Sequence, residues 1–82
     1  MYVLYILKSE NAPKSYVGIT NDLIRKLKEH NSGQHLYTKR YVPWRIFYTE
    51  NCLNLQEARK REKYFKSTTG RRHMKKLFSN LE

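Results

Sequence analysis

Two short runs, Tyr2-Val3-Leu4-Tyr5-Ile6-Leu7 and Tyr16-Val17-Gly18-Ile19, decide how this chain folds. Both are rich in β-branched and aromatic residues, and the polar stretch Ser9-Glu10-Asn11-Ala12-Pro13-Lys14 between them reads as a turn. Together they predict an antiparallel hairpin. Side chains alternate along a strand, so Val3, Tyr5 and Leu7 share one face and Leu4 and Ile6 the other. With Lys8 and Ser15 flanking the turn, Tyr5 is expected opposite Gly18, and Tyr16 diagonally beside Tyr5 on the same face. Two phenols then converge where a glycine leaves space. The plainer reading is a pair of half-buried strand tyrosines.

Beyond the hairpin, Thr20-Asn21-Asp22 is a helix start, with Asn21 or Thr20 as the cap and Asp22 suited to the dipole. The helix is expected to reach Asn31, with Gly33 just past its end. Leu23, Ile24 and Leu27 make its buried stripe. By helical spacing His30 falls at the margin of that stripe, Lys26 one step outside it, and Arg25 toward solvent. His30 near a helix end could equally serve the dipole.

Residues 34–42 are polar and basic and read as a loop. Pro43-Trp44-Arg45-Ile46-Phe47-Tyr48 predicts a third strand, with Pro43 at its start or on an edge, and Asn51-Cys52-Leu53 a link. Asn54 caps a second helix, Leu55 to about Lys66, with Glu57 placed as in a capping box. Leu55, Ala58 and Phe65 define its apolar stripe, and Glu62 falls between them. A carboxylate facing a core costs several kcal/mol, on the order known for buried charges, unless it is paired or bound to a cation. An ion pair and a metal ligand both answer that. Ser67-Thr68-Thr69-Gly70 reads as a break, and Arg71 to Phe78 as a short third helix with Met74, Leu77 and Phe78 packed inward.

The chain has 82 residues, enough for one domain spanning 1–82 and too few for a second core. Its 17 Lys and Arg against 7 Asp and Glu give a net charge of +10, which favours a polyanionic partner, nucleic acid first. Arg25, Lys39, Arg40, Arg71 and Arg72 are the candidate phosphate contacts, although such clusters are often just a solvated face. The apolar run Tyr2 to Leu7 is far too short to cross a bilayer, and the N-terminus lacks the charged region of a signal peptide. No membrane is expected. The lone Cys52 suits a reducing compartment, so the expected location is the cytoplasm. His30, His35 and His73 are too irregularly spaced for a zinc site.

Strand with tyrosine, strand with Tyr-x-Gly, helix, strand, helix with glutamate: this order resembles the GIY-YIG nuclease family. The likeness is to its small single-domain bacterial members and to the N-terminal nuclease domain of the excinuclease C subunit. It is carried by Tyr5, Tyr16-Val17-Gly18-Ile19-Thr20-Asn21-Asp22-Leu23, Glu29-His30-Asn31-Ser32-Gly33, Pro43-Trp44, Glu57-Ala58 and Arg61-Glu62-Lys63. Each is weak alone; together and in order they are specific.

The resemblance implies an α+β fold, a small three-stranded antiparallel sheet flanked by helices. It also implies hydrolysis of phosphodiester bonds with one divalent ion, Mg²⁺ or Mn²⁺. Glu62 takes the metal-ligand position, and Tyr5 and Tyr16 those of the two family tyrosines, one of which helps deprotonate the attacking water. His30 lies near the nucleophile or the scissile phosphate. Lys26 stands where the family usually has arginine, which keeps the charge and loses the bidentate fork. The asparagine that many larger members carry beyond the second helix has no match, Asn80 being too distant. The expected function is a metal-dependent endonuclease on DNA, on branched or damaged structures, in repair or recombination. The alternative is a nucleic-acid-binding module that no longer cleaves.

Overall fold

The computed structural model describes the backbone of residues 1–81 and the side chains of residues 1–79, so Asn80 lies outside the described side chains. The hairpin forms as the sequence predicts. β1 (Tyr2–Ser9) and β2 (Ser15–Thr20) pair antiparallel, with Tyr5 opposite Gly18 and Leu7 opposite Tyr16. Ser9 Oγ organises the turn, accepting from the backbone N–H groups of Asn11 and Ala12 and donating to the Tyr41 carbonyl at 2.7 Å.

β3 (Trp44–Cys52) pairs with the other side of β1, giving the antiparallel order β2-β1-β3. It runs further than the apolar run implied, through Asn51 and Cys52, which were expected in a link. The reason is its edge position: a strand paired on one side needs no strict apolar alternation, and Val3 and Tyr2 of β1 supply ladder partners for Asn51 and Cys52. Leu4, Tyr5, Ile6 and Leu7 of the central strand are all 1% exposed or less, because layers cover both faces. At about 1.5–3 kcal/mol for each large side chain buried, those four residues anchor the domain.

One layer is α1 (Leu23–Asn31), facing Tyr5, Leu7 and Trp44 through Leu23 and Leu27. Its cap is Asp22, whose side chain accepts from the Arg25 N–H at 3.1 Å, rather than Asn21 or Thr20. Thr20 Oγ1 instead accepts from the Asp22 N–H and shapes the approach. Ile24, expected in the stripe, is 72% exposed. Fully buried His30 takes its place, which turns the buried face toward Lys26 and leaves Ile24 roughly 90° away at helical spacing. The expected loop 34–42 contains a 3-10 turn, Thr38–Tyr41, and Gly33 has the positive φ (83°) that lets the chain leave α1.

The other layer is α2 (Leu55–Lys66) and α3 (Thr68–Leu81), packed on Leu4, Ile6 and Val17 through Ala58, Phe65 and Met74. Asn54 caps α2, accepting from the Glu57 N–H at 2.9 Å, while Glu57 reaches back to the Leu53 N–H. The predicted four-residue break is a break at Ser67 alone, and α3 starts at Thr68. Gly70 is buried inside α3 because the helix crosses α2 so closely there that a Cβ would come within 2.5 Å of Phe65 Cα. Leu77 and Phe78 pack back as expected, and Arg71, Arg72, Lys75 and Lys76 are exposed.

Candidate active site

The site grows from the glycine in β2. A Cβ on Gly18 would lie 2.5 Å from Tyr5 Oη, so glycine is what lets the Tyr5 ring lie flat across the hairpin. Tyr5 Oη is 3.0 Å from His30 Nε2, and His30 Nδ1 is 2.9 Å from Thr38 Oγ1. All three side chains are buried. The indole N–H of Trp44 donates to the Thr38 carbonyl at 2.7 Å, so the 3-10 turn is fixed against β3. A neutral imidazole donates at one nitrogen and accepts at the other. The chain Tyr5–His30–Thr38 can therefore exist in two senses that differ by the direction of every proton.

Tyr16 closes the arrangement on its open side. Its ring lies 6.3 Å from Tyr5, 4.9 Å from His30 and 6.2 Å from Tyr37. It is half-buried, and it lines a groove of about 690 Å³ on the β2 side of the sheet.

Burial, with the charges of Tyr16, Glu62 and Glu29, pushes the Tyr5 phenol well above its ordinary value. It stays protonated near neutrality. Burial also lowers His30 to about 4, helped by His35, whose tilted ring lies 4.5 Å away, and by the Lys26 ammonium, with Glu29 opposing. Glu29, at the rim, is held below the usual carboxylate range: burial would raise it, but hydrogen bonds from His35 and Lys26 and the charges of Lys26 and Arg25 prevail.

Glu62 lies where its charge reaches Tyr5, but it is not turned into the core. The buried centre of α2 is Ala58 and Phe65, and Glu62 sits on the flank with its side chain 27% exposed. The expected buried-charge cost is therefore absent. Its carboxylate pairs with Lys66 one turn on, at 3.1 Å, beside an open cavity also lined by Lys63 and Ser67. Lys26 Nζ is 3.4 Å from Glu29, and Arg25, facing solvent as expected, pairs with Glu29 at 2.7 Å. The five candidate phosphate contacts are all exposed, but they do not form one patch: Arg71 lines the groove beside Tyr16, while Arg25, Lys39, Arg40 and Arg72 lie outside it.

The family model described as the GIY-YIG catalytic domain matches residues 1–76. The chain belongs to the GIY-YIG family. Among curated proteins it is 39% identical over 70 residues to UPF0213 protein CPE1444 of Clostridium perfringens, covering 84% of this chain and 74% of that one. It is 35% identical to UPF0213 protein YazA of Bacillus subtilis, covering 94% and 76%. A 48-residue stretch is 38% identical to a protein of Giardia intestinalis named structure-specific endonuclease subunit SLX1 homolog, spanning 55% of this chain and 13% of that one. The solution structure of UPF0213 protein BH0048 from Bacillus halodurans superposes with a TM-score of 0.56 at 29% identity, covering 93% of this chain and 83% of that one. GIY-YIG proteins are typically endonucleases acting on nucleic acid, and generally use a divalent metal.

The GIY-YIG donor set here is sparse. Among the described residues no three His, Cys, Asp or Glu side chains cluster to hold a metal. One partly exposed carboxylate on an open cavity suits a hard cation that keeps most of its waters, not an ion needing a full protein cage. Glu62 fits that role once Lys66 gives way.

The sequence brought forward Tyr5, Tyr16 and His30, which the fold gathers. It missed Thr38, Tyr37, His35 and Lys66. Nothing in residues 34–42 marked Thr38 as buried; only the 3-10 turn folds it under His30. Lys66 was legible in principle, standing four residues after Glu62 on a helix.

Proposed function

We propose that this chain is an endonuclease of a single domain, residues 1–82, that hydrolyses phosphodiester bonds in DNA with one Mg²⁺ or Mn²⁺. We place it in the cytoplasm, acting on branched or damaged DNA in repair or recombination. The observation that carries the reading is the convergence of Tyr5, Tyr16 and His30 over Gly18, with Glu62 in charge reach of Tyr5 from another helix. Among the described residues, the groove beside them is lined by cations and by no carboxylate.

The two phenols divide the work. Tyr5 is buried, protonated and bonded to a neutral imidazole, so it stays an uncharged hydroxyl that shapes the site and holds no negative charge. Tyr16, half open to the groove, is the phenol that an incoming water and phosphate can touch. Glu62 would hold the ion, which when bound supplies Lewis-acid polarisation of the phosphate. His30, neutral down to about pH 4, fixes the Tyr5 hydroxyl through Nε2, and Thr38 holds its ring in place. Lys26 adds positive potential at the rim, as a point charge.

A second reading has a specific observation behind it. Glu62 is engaged by Lys66 at 3.1 Å, and a carboxylate kept that way leaves a DNA-binding module without chemistry. Incubation with supercoiled plasmid and with branched oligonucleotides in Mg²⁺ or Mn²⁺, then in chelator, separates the two. Metal-dependent nicking supports the nuclease; binding with no cleavage under either ion rejects it.

A further inference from the structure

The groove next to Tyr16 is larger than a phosphate needs, and four other parts of the chain join β2 in its walls. Lys14 enters from the hairpin turn, Lys66 from the end of α2, Arg71 and Lys75 from α3, and Tyr37 from the segment after α1. Tyr37 is 48% exposed, yet its ring is braced by Tyr16 at 6.2 Å and Tyr41 at 5.5 Å. An aromatic face held firm on its inner side and open on its outer side is a stacking platform. The groove is also continuous with the candidate active site at both walls: Tyr16 touches His30, and Lys66 touches Glu62.

We propose that this groove takes an unpaired strand of DNA, with a base stacked on Tyr37 and its phosphates on Lys14, Lys66, Arg71 and Lys75, and leads it to Tyr16 and Glu62. This rests on the nuclease reading and names the form of its substrate. A base inside a duplex has both faces covered by neighbouring pairs, so an aromatic side chain lining a recess reaches only bases that have left the stack. The cations follow the backbone of such a strand without reading its sequence. The unpaired segment would come from a junction, a flap or a frayed end.

The test is binding in chelator, which needs no chemistry. Fluorescence anisotropy compares a labelled 12-nucleotide oligothymidine with a 12-base-pair duplex. The single strand should bind at least tenfold more tightly. Tyr37→Leu should weaken it roughly tenfold, within the range for loss of one stacked base, while Tyr37→Phe retains it. Arg71→Ala with Lys75→Ala should flatten the salt dependence by about 1.4 in log–log slope, two phosphates at roughly 0.7 each. Equal or tighter duplex binding, or no effect of Tyr37→Leu, overturns the groove. Duplex cleavage indifferent to Tyr37 sinks the groove and leaves the nuclease standing. Single-strand binding through Tyr37 with no cleavage in any metal keeps the groove and sinks the nuclease.

Discussion

At Gly18 a single hydrogen in place of a methyl group decides whether Tyr5 can sit against His30. Gly18→Ala is expected to push the phenol off His30, costing about 1–3 kcal/mol of stability as overpacking does and cleavage by more than tenfold; a variant that cleaves at the wild-type rate would show that Tyr5 need not lie there. His30 makes the site acid-sensitive. Its pKa drops from an unfolded value near 6.5 to about 4, so between those pH values the unfolded chain binds the extra proton. Stability is then full above about pH 6.5 and lost as pH falls toward 4, by up to about 3 kcal/mol. Urea melts across that window should show the loss in the wild type and its reduction in His30→Gln; parallel curves would contradict it. Both tyrosines, Gly18 and His30 were legible because strand alternation and helical spacing fix their faces. The Glu62 rationale was not, since the helix stripe centres on Ala58 and Phe65 and leaves that carboxylate on the flank.

Between elements, α2 is held to the sheet by a fork. Arg61 donates to Glu50 of β3 through Nε at 2.7 Å and Nη2 at 2.8 Å, and Tyr48 donates to the same carboxylate. The Arg61 bonds hold Glu50 below the usual carboxylate range, and burial with the Glu50 contact pushes the Tyr48 phenol up to about 12. This clamp fixes the residue next to Glu62, which gives Arg61 a structural reason to accompany it. The α2–α3 crossing is tighter still. A methyl group at Gly70 would run into the Tyr64 carbonyl and Phe65 Cα, backbone atoms that cannot swing aside. Gly70→Ala is expected to cost about 3 kcal/mol or more, read as a drop in Tm; an unchanged Tm would mean the helices part freely. The sequence suggested a helix breaker there, because glycine after Ser-Thr-Thr looks local. Its actual reason is a long-range approach that no local pattern reveals.

Over the whole molecule, an excess of ten positive charges makes association with nucleic acid electrostatic in origin. Affinity for DNA should fall steeply and linearly on a log–log plot as salt rises; a flat response would remove the basic groove from the account. The three-layer order, α1 on one face of the sheet and α2 with α3 on the other, was foreseeable from two helices that each carry an apolar stripe and a central strand apolar throughout. The gathering of four cations at the β2 edge was not, because Lys14 in the hairpin turn lies roughly fifty residues from Lys66, Arg71 and Lys75, and only the fold brings the two groups together. No helix of the described residues is long and apolar enough to cross a membrane. Glu62, on α2, is proposed to serve the same reaction centre as the two phenols of the sheet. Single-turnover cleavage of a branched oligonucleotide by Glu62→Gln in Mg²⁺ tests it. Loss of cleavage by at least a hundredfold with DNA binding retained is expected, and cleavage at the wild-type rate would contradict it.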